Sequence, residues 1–525
     1  MSTSDVDSWR VVLDGSTVPT GEAVGNKARS IALMKSLGLN VPAAFAIPVS
    51  VGSLFSQSGE LAPEAWDAVR AGVAELEALS GLKFGGHEDP LLVSVRSGAA
   101  QSMPGMMDTI LDLGINPRVE RALAQVSGDP AFAHDTYMRF LESYARTVLG
   151  SYVSAEPQQT PADLAAAIYL DCGVQIPVDP YEQLRGAIEA VFRSWSSSRA
   201  KAYRKYWGLS DDGGTAVTVQ QMVYGNLDDD SGTGVLFTRN PHAGTAEPLG
   251  EFLPRGQGED VVSGEVDPLD LKTLRERMPT VHEELLAAGR LLEQQAGDVQ
   301  DVEFTVERGR LFLLQTRNAK RSAIAAVKFA VTLADEGLST RQQALERVKP
   351  AHVEALFQPV VATSASDAAK IIARGEATCP GFATGLAVTD SDEAVRFKAA
   401  GTAVILVRRS TSPEDIEGMI AAEGICTEVG GRTSHAAVVS RELGRPAVVG
   451  CGAGTADALS GRIVTVDGTT GVIYDGALAL SFPDVDSYPE LAKLARWAAD
   501  NPGTLDPEHP LMKWSGNYAD HTMAT

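Results

Sequence analysis

Between residues 11 and about 110, short apolar runs alternate with helical periodicities. Val11-Val12-Leu13, Val41-Pro42-Ala43-Ala44-Phe45 and Leu91-Leu92-Val93-Ser94-Val95 have the length of buried strands. Ile31-Ala32-Leu33-Met34-Lys35-Ser36-Leu37 repeats at helical spacing and stops at Gly38. This alternation predicts an α/β fold. From about 117 to 205 the pattern is mostly helical, with Pro157, Pro161, Pro177 and Pro180 marking loops, and predicts a helical insert. Residues 215–316 return to strands: Thr215-Ala216-Val217-Thr218-Val219, Val235-Leu236-Phe237, Val302-Glu303-Phe304-Thr305-Val306 and Leu311-Phe312-Leu313-Leu314. The Glu307-Arg308-Gly309-Arg310 turn joins the last two as a hairpin.

A charged helical stretch from Ile324 to Val348 ends before Pro350 and reads as a linker. Beyond about 376 short strands (Ala403-Val404-Ile405-Leu406-Val407, Ala447-Val448-Val449, Ile463-Val464-Thr465-Val466) alternate with helices and close near Ile473. The expected organisation is therefore a first domain over 1–320 with its helical insert at 117–205, a helical linker over 321–375, and a smaller α/β domain over 376–480. Residues 481–525, with five prolines and little periodicity, are expected to form a weakly ordered tail.

A length of 525 residues suits about three domains at roughly 100–200 residues each. Hydrophobic residues at 44% and charged residues at 22% exclude a disordered chain. The balance of 45 basic against 68 acidic residues gives a net charge of −23, which argues against nucleic acid or anionic lipid as partners. A phosphate-bearing ligand must then meet a local basic cluster. Four cysteines without a CxxC pair suggest neither a disulfide framework nor a zinc site and fit a reducing, cytoplasmic location. No targeting pattern and no apolar run of about 18 residues is present, so no membrane association is expected.

Chemistry concentrates in four stretches. Gly430-Gly431-Arg432-Thr433-Ser434-His435-Ala436-Ala437-Val438-Val439 predicts a tight turn, a hydroxyl cap and a helix running to Leu443-Gly444. His435 would sit in the first turn, where the helix field favours neutral imidazole and attracts phosphate. Ser412-Pro413-Glu414-Asp415 reads as a capping box with proline in the first turn. Ser94-Val95-Arg96-Ser97-Gly98-Ala99, followed by Ser102-Met103-Pro104-Gly105, leads a strand into a flexible loop whose amides can cradle phosphates, with Arg96 for bidentate contact. Asp301-Val302-Glu303 places two carboxylates on one strand face, and Gln315-Thr316-Arg317 places an amide and a cation on the partner strand. Paired carboxylates suit Mg²⁺ carrying nucleotide phosphates, and an adjacent arginine suits phosphoryl transfer. No GxxxxGK[ST] loop occurs, which sets aside a P-loop kinase.

The segment Gly-Gly-x-Thr-Ser-His-Ala-Ala-Val-Val resembles the phosphohistidine signature of the phosphoenolpyruvate-utilising enzymes, and the 94–109 segment is similar to the nucleotide loop of pyruvate, phosphate dikinase. Ser231 to Pro241 and Gly256 to Val262 follow in the same order. The resemblance implies an ATP-grasp nucleotide-binding domain with a helical insert, followed by a swivelling β/β/α phosphohistidine domain. It implies that Lys27 and Arg96 hold ATP phosphates, that Gly105 and Thr233 line the nucleotide loops, and that Glu251 and Asp260 support the site. Asp301 and Glu303 would bind Mg²⁺, Gln315 and Arg317 would orient the transferring group, and His435 would carry the phosphoryl.

Several departures separate this chain from the pattern. The glycine-rich opening reads Gly25-Asn26-Lys27-Ala28, Ala100 stands where the pattern has arginine, and Val266 replaces a second one. Arg432 stands where the pattern has methionine and could steer an anionic acceptor. Only 90 residues follow His435, whereas a (β/α)₈ barrel takes about 250. The expectation is an ATP- and inorganic-phosphate-dependent enzyme that phosphorylates its own histidine, releases AMP and diphosphate, and works with a separate barrel protein that holds pyruvate. A homodimer is carried as an expectation for its oligomeric state. Two other readings are a small-molecule kinase resembling rifampicin phosphotransferase and a nucleotide-binding regulatory protein without turnover.

Overall fold

The computed structural model describes residues 9–99, 109–156, 158–206, 208–211, 213–258, 260–263, 268–357, 360–361, 369–478, 480–481, 488–501 and 503–512. Its mixed α/β, multi-sheet architecture agrees with the class expected from the sequence. The chain divides into two compact units, one comprising residues 1–233, 254–257 and 303–316, the other 234–253, 258–302 and 317–525.

The first unit is built on an antiparallel sheet in the order Val11–Val12, Ala44–Ile47, Ala216–Gln221, Val93–Gly98, Thr109–Leu113. Phe45, Ile47, Val93, Val95, Val217 and Val219 pack in one core with Val69, Val73, Ile188 and Phe192 from the covering helices. The helix Gly21–Ser36 is broken at Gly25, whose φ of 77° only glycine adopts readily. A Cβ there would lie 2.4 Å from the Gly98 carbonyl, so two glycines let the backbones meet and Asn26 N–H reach Ala99 O at 3.0 Å.

Most of the described part of 117–206 is helical. Pro161 and Pro180, read from the sequence as loop markers, are instead the first residues of helices capped by Thr160 and Asp179. Pro117 and Pro130 repeat the device behind Asn116 and Asp129. Proline costs nothing at this position because the first helical N–H has no intrahelical partner.

A second five-stranded sheet runs in the order Leu269–Asp270, Leu249–Pro254, Gly232–Phe237, Gln300–Glu307, Arg310–Asn318. The expected hairpin is present, and Arg308 (φ 49°) and Gly309 (φ 72°) give its two central residues the left-handed conformation of a tight hairpin turn.

The second unit contains an eight-stranded sheet in the order Ile371–Arg374, Val472–Asp475, Ile463–Asp467, Phe382–Val388, Val404–Arg408, Gly424–Thr427, Ala447–Val449, Glu376–Cys379. The run from Phe382–Val388 to Ala447–Val449 is parallel. Helices Ala323–Asp335, Arg341–Arg347 and Pro350–Leu356 form a cluster of their own. Part of the expected weakly ordered tail belongs to it: Pro489–Asp500 is a helix that buries Leu491, Leu494 and Trp497 against Val327, Ala330, Leu345 and Leu356. Further on, His509 Nε2 donates to Val348 O at 2.9 Å.

Candidate active site

His435 begins the helix His435–Leu443, which connects the parallel strands Gly424–Thr427 and Ala447–Val449. The expected hydroxyl cap is Ser434, its Oγ accepting from Ala437 N–H, and Gly444 ends the helix in the left-handed conformation. The loop thus lies beyond the carboxyl ends of parallel strands, where helix N-termini and open backbone groups converge. The imidazole is neutral at physiological pH. Burial pushes its pKa down to about 4 against the opposing pull of Asp415 and Glu414. Its Nε2 is covered and has no hydrogen-bond partner among the described residues.

The loop in front of His435 is fastened on both sides. Glu251, 9% exposed, accepts hydrogen bonds from Arg432 N–H at 2.7 Å, from Thr433 N–H at 3.2 Å and from the Thr433 hydroxyl. Burial raises the Glu251 pKa while these donors oppose the shift. A Cβ on Gly431 would lie 2.6 Å from Glu251 Oε1, so the second glycine of the motif is required by this close approach. Arg432 bonds Glu376 through Nε at 2.7 Å and Nη2 at 2.6 Å. Arg441 is buried, donates to Arg432 O at 3.0 Å and lies over the Phe237 ring. Burial lowers its pKa to about 10. Lys320 Nζ meets Glu442 Oε1 at 2.5 Å.

Also in the second unit, Arg317 Nε donates to Asp301 Oδ2 at 2.8 Å, with Asp301 only 3% exposed. Asp260 opens the short helix Asp260–Ser263. In the first unit Arg96 Nη2 bonds Glu303 Oε2 at 3.0 Å. Lys27 follows the Gly25 break in its helix. Gln315 is buried, and its Oε1 has no partner among the described residues. Thr233 is 2% exposed, and its hydroxyl is spent on Phe304 O at 3.1 Å, a bond that holds the second sheet together. Gly105 lies outside the described residues.

Sequence reasoning missed Thr218 and Gln220. Both are buried on the strand Ala216–Gln221, and Thr218 Oγ1 and Gln220 Nε2 lack partners among the described residues. Thr218 pairs directly with Arg96 and Gln220 with Ser94, so all four share one sheet face. The available signal was polar residues alternating with valine in Val217-Thr218-Val219-Gln220. The anchoring pair of Arg432, Glu376, gave no signal, since it lies 56 residues away along the chain.

The strand Gln300–Glu307 carries Asp301 and Glu303, and two carboxylates fit a hard cation such as Mg²⁺. Among the described residues no group of three or more His, Cys, Asp and Glu could hold a metal ion by itself.

Residues 58–285 match the family described as pyruvate phosphate dikinase, AMP/ATP-binding domain, and residues 401–471 match the PEP-utilising enzyme, mobile domain. A nucleotide-binding domain joined to a mobile domain is thus the class of protein defined here. Relatives include pyruvate, phosphate dikinase of Rhizobium meliloti (strain 1021), 40% identical over 91% of this chain and 58% of the relative. That of Clostridium symbiosum is 40% identical over 86% and 56%, and pyruvate, phosphate dikinase 2 of Zea mays is 40% identical over 91% and 58%. The chain belongs to the phosphoenolpyruvate-utilising enzyme family that contains pyruvate, phosphate dikinase. It spans less than two thirds of the length of these relatives.

Proposed function

We propose that this chain is a pyruvate, phosphate dikinase-like phosphotransferase that takes a phosphoryl group from ATP onto His435. The observation that carries the reading is a neutral imidazole at a helix start, whose Nε2 has no hydrogen-bond partner among the described residues. An unprotonated ring nitrogen with a free lone pair is a competent nucleophile toward phosphorus. Nε2 is covered here, so the loop must open before it can attack. In this reading residues 1–320 form an ATP-grasp domain and 376–480 a swivelling domain that presents the histidine.

Arg96, Lys27, Arg317 and Gln315 bind and orient the ATP phosphates, with Asp260 supporting the site, and Asp301 and Glu303 are the residues that would hold Mg²⁺. When bound, it would supply charge stabilisation for the transferring group. Glu251 holds the Arg432–Thr433 backbone and so sets where His435 stands. Nε2 bonds to the β-phosphorus as AMP leaves, and inorganic phosphate takes the γ-group to form diphosphate. The phosphoryl then passes to pyruvate, giving phosphoenolpyruvate.

The test is ATP labelled in its β-phosphate, incubated with protein, Mg²⁺ and phosphate. Label stable to base and lost in acid is expected on the wild type and absent from His435→Ala. Label retained by the variant overturns the assignment.

A further inference from the structure

Cys426 lies on the strand Gly424–Thr427, fully buried, and its thiol points at that of Cys451, with Sγ to Sγ 3.6 Å. Cys451 follows the neighbouring strand Ala447–Val449 and is half-buried. Neither is a disulfide partner in this structure. The backbone around them is already laced together: Cys451 N–H bonds Thr427 O at 2.9 Å, Gly452 N–H bonds Glu428 O at 2.8 Å, and Ala456 N–H bonds Glu428 Oε1 at 2.8 Å. A Cβ on Gly450 would stand 3.0 Å from Gly430 O. The two thiols therefore sit where the loop that ends in His435 leaves the sheet.

We propose that Cys426 and Cys451 form a dithiol modification site that a peroxide closes to a disulfide, restraining the His435 loop. Bond formation needs the sulfurs to approach by about 1.6 Å, to the roughly 2.05 Å of a disulfide, between strands already held in register. Cys451, the more accessible thiol, reacts first. Its thiolate attacks one peroxide oxygen, the O–O bond breaks, and hydroxide leaves, so that sulfur is oxidised to sulfenic acid and peroxide is reduced. The Cys426 sulfur then displaces the sulfenic hydroxyl, losing its own proton, and water leaves. Two thiols and one hydrogen peroxide give one disulfide and two waters. The neighbouring Cys451 thiol and burial raise the Cys426 pKa, so Cys426 is the poorer first attacker on peroxide.

The new covalent tie joins the exits of two parallel strands, one of which runs directly into Glu428–Ser434. Opening that loop is what the covered Nε2 requires, so the disulfide opposes transfer to His435. This consequence rests on the phosphotransfer reading above, whereas the cross-link and the restraint do not.

Treat the full chain with hydrogen peroxide, quench, and map peptides without reduction. The expected product has lost two hydrogens in mass, joins the Cys426 and Cys451 peptides, and reverts with dithiothreitol. Its 428–434 amides exchange with solvent more slowly than those of the reduced protein, and ATP labels His435 roughly tenfold more slowly. The half-exposed Cys451→Ser variant should fold, keep its labelling rate and lose the peroxide response. Both thiols remaining alkylatable after peroxide, or Cys451 passing to sulfinic acid alone, overturns the proposal, as does a disulfide with unchanged loop exchange. A disulfide with slowed exchange in a protein that never labels would support the dithiol and sink only the phosphotransfer reading.

Discussion

The Glu251 carboxylate takes hydrogen bonds from both the N–H and the hydroxyl of Thr433, two residues ahead of His435. A buried acceptor on the strand Leu249–Pro254 thereby fixes the loop that presents the histidine. The sequence resemblance places Glu251 in support of the nucleotide, but in this arrangement its oxygens are committed to the loop.

Glu251→Gln should loosen that loop. An amide offers a single oxygen where the carboxylate offers two, and hydrogen bonds to charged groups contribute about 1.5–3 kcal/mol. Exchange of the Arg432 and Thr433 amides should accelerate by roughly tenfold or more, read by mass spectrometry. Acid should act in the same direction: the bonds belong to the carboxylate, and a pKa raised by burial brings protonation at a higher pH than for an ordinary glutamate. Unchanged exchange in the variant would mean that the loop is held from elsewhere.

The His435 ring has a pKa lowered to about 4, so it is already the free base at neutral pH. Its phosphorylation rate should show no titration at the ordinary histidine value and should fall only as pH approaches 4. The ring's contribution to stability has the same sign: the unfolded histidine takes up a proton near pH 6.5 while the folded one resists, so stability declines from there down to about pH 4. Rapid-quench labelling across pH 5–8 reads the kinetic part, and an inflection near 6.5 that His435 itself causes contradicts the burial.

Much of the loop was legible because local rules decide it. Two glycines, a hydroxyl cap and an apolar helix stripe state a turn and a helix start without reference to the rest of the chain. The hairpin at Arg308-Gly309 was legible for the same reason. What escaped depends on distant partners: Glu376 for Arg432, Glu251 for Thr433, Phe237 for Arg441. The helix Pro489–Asp500 was misread because its opening proline and small alanines mask a stripe of Leu491, Leu494 and Trp497, whose helicity is decided by the surface they cover.

Asp112 offers a stability test in the first unit. It is 2% exposed, adopts φ 59°, and burial lifts its pKa to about 7, with Arg139 opposing and Asp135 adding to the shift. A raised folded pKa means stability that is full below the ordinary value of 3.8 and lost as pH rises to about 7. Asp112→Asn removes the charge, and asparagine tolerates the left-handed backbone. The variant should match the wild type near pH 3.5 and exceed it by on the order of 4 kcal/mol at pH 8. Equal denaturant midpoints at pH 8 would place that carboxyl in contact with water.

The final prediction concerns the two carboxylates of the strand Gln300–Glu307, each paired to an arginine, Asp301 with Arg317 and Glu303 with Arg96. If they serve only the fold, conservative replacement costs little beyond an ion pair. If they hold the metal that accompanies ATP, the cost falls on transfer, because the metal counters charge that grows as the phosphoryl moves. Asp301→Asn and Glu303→Gln should therefore slow labelling of His435 by roughly 100-fold or more while nucleotide affinity changes only a few-fold. Arg317→Ala should behave alike. A chelator should stop labelling without moving the melting temperature of the nucleotide-free protein, since among the described residues no cluster of three or more ligating side chains keeps a metal of its own. Wild-type labelling by either carboxylate variant would reduce Asp301 and Glu303 to a salt-bridged strand face.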